Sequence, residues 1–223
     1  QTRNLRFFAS FLAEYCFYRT RYDLHKQFYN HKTVISIEYM IRSIMDKLDN
    51  FLKISDIVKN KDIDLVYVVL PNAMHKEFVI RAAKAGKHVI VEKPMAITPS
   101  DCQEMMDACK KAGVQLAVGY RLHYEPYNLE MKRLGQEKVF GQVRLIETSL
   151  GYNTGDIMDW HLKKALSGGG PLVNLGIYCV QASRYVLGEE PISVTAQFGP
   201  ITNKIKFAEV EESITWQLNF PSG

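Results

Sequence analysis

Between Asp64 and Gly119 the chain alternates apolar runs with helix-forming stretches, and this alternation leaves few folds open. Asp64-Leu-Val-Tyr-Val-Val-Leu70 is a continuous apolar run of strand length. Asn72 is placed to cap the helix that follows, Met74–Ala85, and Gly86 to end it. His88–Val91 reads as the next strand, about Ser100 to Ala112 as a helix ended by Gly113, and Gln115–Gly119 as a third strand. Strands apolar on both sides, joined through helices by short loops, predict a parallel, doubly wound sheet.

The flanks read differently. From Gln1 to about Ile54 there is no glycine and no proline, which a folded α/β domain of that length needs at its turns. Phe7, Phe8, Phe11, Leu12 and Tyr15 fall at helical spacing, as do Ile37, Ile41, Ile44, Met45, Leu48 and Leu52. We expect an atypical helical segment over 1–54. Beyond Arg121, helices are expected over Tyr127–Leu134 and about Pro171 to Val186, and strands over Val143–Leu150, Ile192–Phe198 and Glu211–Phe220. In the last of these, Ile214, Trp216, Leu218 and Phe220 share one face, the mark of a sheet buried on one side only. The expected class is α/β: an incomplete Rossmann-type parallel sheet over 55–120, then an α+β domain over 121–223 with an open, mainly antiparallel sheet cut short after Phe220. A start on Gln1 and an end on Pro221-Ser222-Gly223 suggest a fragment of a longer product.

Charge narrows the partners. The formal net charge of +4 comes wholly from residues 1–60; from Lys61 onward basic and acidic residues balance, which argues against a nucleic-acid footprint. No apolar run is long enough to span a bilayer, so no membrane partner is expected. Cys16, Cys102, Cys109 and Cys179 show no metal spacing and no dense framework. They read as reduced thiols in a reducing compartment, hence a cytoplasmic placement, with a periplasmic or secreted parent left open. The six histidines show no ligand pattern, and no metal is expected.

The residues that stand out chemically follow the second strand. In His88-Val-Ile-Val-Glu-Lys-Pro94 an apolar strand runs into Glu92-Lys93 and stops at Pro94. Ligands of open α/β sheets bind at the carboxyl ends of strands. Pro94 restricts Lys93 to an extended backbone, and a held ammonium there can stabilise negative charge developing on an oxygen. Alone, Lys93 is as readily a solvated surface lysine. Tyr178 is a core aromatic or, beside a lysine, a proton donor and acceptor. Asn174 lies one helical turn before it, to bind a hydroxyl or to satisfy a backbone group. Gly168-Gly-Gly170 is a close-approach turn or a phosphate cradle, and His75 a half-exposed polar residue or a site residue. His123, Trp160 and His161 are weaker candidates.

Several of these stretches together resemble one family. Asp62-Ile-Asp-Leu-Val-Tyr-Val-Val-Leu-Pro-Asn-Ala-Met-His75, Ala85-Gly-Lys-His-Val-Ile-Val-Glu-Lys-Pro94, Gly119-Tyr-Arg-Leu-His-Tyr-Glu-Pro126 and Gly168-Gly-Gly-Pro-Leu-Val-Asn-Leu-Gly-Ile-Tyr178 resemble the glucose–fructose oxidoreductase / inositol dehydrogenase (Gfo/Idh/MocA) family. Gly176-Ile-Tyr178 and Arg184-Tyr-Val-Leu-Gly-Glu-Glu-Pro191 point to its glucose–fructose oxidoreductase branch. The match covers roughly Asp56 to Gly223.

The resemblance implies hydride transfer between NAD or NADP and a sugar or polyol. Lys93 and Tyr178 would be catalytic. Pro71, Asn72, His75, Glu92, Lys93 and Arg121 would line the cofactor, and Lys93, Trp160, Asn174 and Tyr178 the substrate. It also implies homo-oligomers formed through the C-terminal sheet. Two departures stand against a full carry-over. The family usually has aspartate where this chain has Asn174, and no G-x-G-x-x-G occurs among the 223 residues. A non-catalytic sensor or interaction protein, or an inactive fragment, on the same fold is the alternative.

Overall fold

The computed structural model describes residues 60–154 and 159–222; the helical segment expected over 1–54 lies outside them. Residues 60–153 and 159–222 fall in one compact unit.

The parallel sheet is as the alternation predicts. Strand β1 is Leu65–Val68, β2 is His88–Glu92 and β3 is Leu116–Gly119, in the order β1-β2-β3. Val68 stands opposite Val91, and Val91 opposite Val118. A short 3-10 turn, Asn72–Met74, leads into helix α1, His75–Lys84; helix α2 is Pro99–Ala112. One face of the sheet packs Val68, Val89 and Val91 against Val79, Ala82 and Ala83 of α1 and Met105 and Cys109 of α2. Successive strand residues point to opposite faces, so Leu65 and Tyr67 point away from this core and are about half exposed. Helix α2 starts where Thr98 accepts a hydrogen bond from the Asp101 amide (3.1 Å) with Pro99 in its first turn, and ends at left-handed Gly113.

Asn72 is not a cap. Its side chain makes no capping bond; it is buried and donates instead to the Ser167 carbonyl, at 2.8 Å. The amide serves a distant helix end because that carbonyl, buried with it, has greater need of a partner.

Helix α3 spans Pro126–Gln136, α4 is the single turn Lys164–Ser167, and α5 is Ile177–Leu187. The helical run begins at Pro171 as expected, but its first part is not α-helical. Residues Leu172–Gly176 form a π-helical turn, and Asn174 lies inside it. Strands β4, Ser193–Phe198, and β5, Ile214–Asn219, pair antiparallel, with Val194 opposite Leu218, Ala196 opposite Trp216 and Phe198 opposite Ile214. That pairing gathers six apolar side chains on one face and leaves the other polar.

The strand expected over Val143–Leu150 is absent. Its alternation is real, but no described strand lends it a ladder, and Leu145 is left 75% exposed. Period-two patterning describes one face of a strand, whereas the strand itself needs a neighbour to satisfy its backbone.

Candidate active site

The end of β2 delivers Glu92 and Lys93 side by side, and each is held. The Glu92 carboxylate accepts from the Lys93 amide with Oε2 (3.1 Å) and from the Tyr67 hydroxyl with Oε1. The Lys93–Pro94 peptide is cis. The Lys93 ammonium donates to the backbone carbonyl of Asn174 at 2.8 Å and lies 3.3 Å from its Oδ1. It also sits 4.8 Å above the centre of the Tyr178 ring, a cation–π contact. Burial pushes Lys93 below its ordinary value, and Glu92 pulls the other way. The lysine's partners at the far end are thus a carbonyl, an amide and a ring face. Neutral acceptors leave most of its positive charge available to an incoming oxygen.

The π-turn brings Asn174 to the lysine twice, by backbone and by side chain. Asn174 Nδ2 donates to the Tyr152 hydroxyl at 3.0 Å. Tyr178 packs against Tyr120 with ring centres 5.3 Å apart. Tyr120 is buried, and its phenol is pushed up to about 12, chiefly by burial and further by Tyr178 and Cys179. It backs the site as an uncharged wall.

Lys93, Asn174 and Tyr178, picked from the sequence for their chemistry, are therefore brought together. Glu92 adjoins Lys93, and the other candidates are held by contacts of their own. His75 is fully buried rather than half exposed, with 0% of its surface accessible. Its Nε2 lies 2.8 Å from the Leu70 carbonyl and its Nδ1 3.0 Å from that of Pro94. It clamps the loop after β1 to the loop after β2. Asn72, equally hidden, ties the same loop to α4. Pro71 is half-buried and Arg121 exposed. Trp160 stacks on His161, with ring centres 3.7 Å apart, and His161 is in turn held by Asp159 at 2.6 Å.

Gly168-Gly-Gly170 is a close-approach turn. Gly168 is left-handed (φ +84°), and a Cβ on Gly170 would lie 2.4 Å from the Glu211 carbonyl oxygen. The amides of Gly170 and Leu172 are spent on the Glu211 carboxylate, at 3.0 and 3.2 Å, which leaves them no phosphate to cradle. Tyr67, Tyr120, Tyr152 and Glu211 are site residues that sequence reasoning missed. Tyr67 and Tyr120 carried a signal, lying inside the Asp62–His75 and Gly119–Pro126 stretches. Among the described residues no cluster of His, Cys, Asp or Glu has the grouping to hold a metal, and no helix is long and apolar enough to cross a membrane.

Residues 25–120 match the oxidoreductase family model with an NAD-binding Rossmann fold, and residues 128–223 match the Gfo/Idh/MocA C-terminal domain. The chain belongs to the Gfo/Idh/MocA family. The first match begins at residue 25, inside the stretch that the sequence reading set apart. The expectation of a nicotinamide cofactor accords with the Gfo/Idh/MocA description.

Among solved structures, the aldose–aldose oxidoreductase of Caulobacter crescentus, complexed with glycerol, is 46% identical, with a TM-score of 0.74. The match covers 78% of this chain and 52% of that one. The D-xylose 1-dehydrogenase [NADP(+)] of Haloarcula marismortui is 32% identical over 71% of this chain and 45% of its own. The 2,7-anhydro-N-acetylneuraminate hydratase of Escherichia coli is 34% identical over 78% and 47%. The chain thus spans about half the length of these relatives.

The residues at the β2 end fit the nicotinamide end of a dinucleotide, since Lys93 offers a donor beside a half-buried, aromatic-backed surface. The Gly168–Gly170 turn offers the pyrophosphate no free amide at Gly170 or Leu172.

Proposed function

We propose that this protein is an oxidoreductase acting on a hydroxyl or carbonyl of a sugar or polyol with NAD or NADP. The observation that carries this reading is the meeting of Lys93, Asn174 and Tyr178 at the carboxyl end of a Rossmann strand. Membership of the family and the names of its sugar-oxidising relatives support it.

The nicotinamide would supply the hydride acceptor or donor. The chain's own residues handle the oxygen and its proton. As a phenolate Tyr178 takes the proton from a hydroxyl under oxidation, and as the phenol so formed it returns that proton under reduction. The Lys93 ammonium stabilises the charge gathering on that oxygen, where low polarity makes a fixed cation count for more. Asn174 orients the substrate without adding a negative charge to the lysine. Pro71, Glu92 and Arg121 border the cofactor. His75 and Asn72, being buried, act by holding the two loops that carry those residues. Trp160 closes the substrate side.

In the same reading, residues 55–120 form the cofactor-binding part and 121–223 the substrate part. Copies associate through the β4–β5 sheet. Free thiols at Cys102, Cys109 and Cys179 favour a cytoplasmic setting.

The test is a titration of the purified chain with NADH and NADPH, followed by nicotinamide fluorescence and then by turnover of aldoses. Saturable binding with aldose oxidation that Tyr178→Phe abolishes is the expected result. Folded protein that binds neither nucleotide would overturn the enzymatic reading and leave a sensor or interaction protein on the same fold.

A further inference from the structure

Tyr152 follows a strand-less stretch and was not among the residues chosen from sequence. The residue is 52% exposed, and its hydroxyl meets the site at Asn174 Nδ2, 3.0 Å away. Hydrogen-bond direction along this row follows from the lysine. An ammonium has three donors and no acceptor, so the Asn174 oxygen must face it. The amide nitrogen is then turned to Tyr152, and an amide nitrogen can only donate. The phenol oxygen accepts that bond and keeps its own proton. Among the described residues no protein group receives that proton.

We propose that Tyr152 is a specificity-determining residue whose hydroxyl donates to an acceptor oxygen of the sugar or polyol, a second hydroxyl or ether oxygen beyond the reacting carbon. The proposal rests on the sugar-oxidoreductase reading for the identity of its ligand, and on Lys93 and Asn174 for its direction. A carboxylate in place of the Asn174 amide would reverse that direction. It would accept the phenol's proton, and the donor would be spent inside the protein. The amide thus keeps Tyr152 open to substrate.

Two measurements separate this proposal from the broader reading. The first needs no sugar and no cofactor: the titration of Tyr152, followed by 13C NMR of ring-labelled tyrosine in the full chain and assigned with Tyr152→Phe. Besides Asn174, Tyr152 faces the negative charge of Asp159, with Lys93 beyond the amide; burial and Asp159 hold the phenol up, and the amide bond pulls it down. Asn174→Leu removes a donor to the phenol oxygen, so the tyrosine should titrate higher. Asn174→Asp should raise it further. A fall in Asn174→Leu would mean that Tyr152 donates to the amide, and would overturn the proposal.

The second measurement is turnover of D-xylose. Tyr152→Phe should raise KM about tenfold, the loss of one hydrogen bond, with the NADH dissociation constant unchanged. In the Asn174→Asp background the same change should leave KM where it was. An unchanged KM in the single variant of an active enzyme overturns the substrate contact. A chain that binds and turns over no sugar at all, yet shows the upward tyrosine shift, sinks the oxidoreductase reading and the substrate half of this one, while the hydrogen-bond direction stands.

Discussion

Lys93 is harder to protonate in the folded protein than in the unfolded chain, because burial penalises its charge more than Glu92 relieves it. Between its depressed value and the ordinary 10.5, the unfolded state therefore binds more protons, and stability rises with pH across that window. Lys93→Met should abolish this rise in urea denaturation curves and leave the protein at least as stable at neutral pH. In the same variant kcat/KM should fall about 10²- to 10³-fold, the loss of one fixed donor to a charged oxygen. A lysine retained at a cost in stability and needed for rate would be expected of a working site. The pH profile of kcat/KM should show an alkaline limb below 10.5 that Lys93→Arg displaces upward. Sequence could single out Lys93 by its place between a buried strand and Pro94. It could not show that the ammonium would meet a carbonyl and a ring face, since those contacts lie 81 and 85 residues further on.

The elements around the site do quieter work. His75 joins the tips of β1 and β2 through two carbonyls with no solvent to replace it. His75→Leu removes the ring's donor, leaves a buried carbonyl short of a partner and should cost about 1–3 kcal/mol of stability, read from the urea midpoint. Gly170→Ala pushes a Cβ against the backbone of Glu211 and should cost about 1–3 kcal/mol, with Asn174 displaced because the π-turn begins at Leu172. The three parallel strands were legible within a residue or two, because strands buried on the sheet are continuous apolar runs bounded by Gly, Pro and Asn. The π-turn was not. A π-turn differs from an α-turn by one residue in register, and Leu172-Val-Asn-Leu-Gly176 suits either. The alternation of Val143–Leu150 misled for the opposite reason: its period was clear and its partner was missing. Asn72 held a capping position in sequence, yet a buried carbonyl at Ser167 had the stronger claim.

At the scale of the molecule, the β4–β5 ribbon leaves Val194 and Phe198 on its apolar face 62% and 67% exposed, and β4 has one strand edge unpaired among the described residues. Such an edge invites another chain. Sedimentation should find the protein associated, and Val194→Lys, which points a charge into that face, should shift it toward the monomer. The class of the fold was readable from patterning alone, and the partnership of Lys93 with Tyr178 from resemblance to a family. The hydrogen bonds that aim the two were readable from neither, because they depend on distances between segments far apart in the chain. Lys93 reaches Asn174 across 81 residues, and Asn72 reaches Ser167 across 95. On the ribosome, the lysine is thus made and its strand can pair long before its partners exist. At ordinary rates of synthesis it waits on the order of ten seconds, and for that interval the growing chain carries a sheet with no finished site.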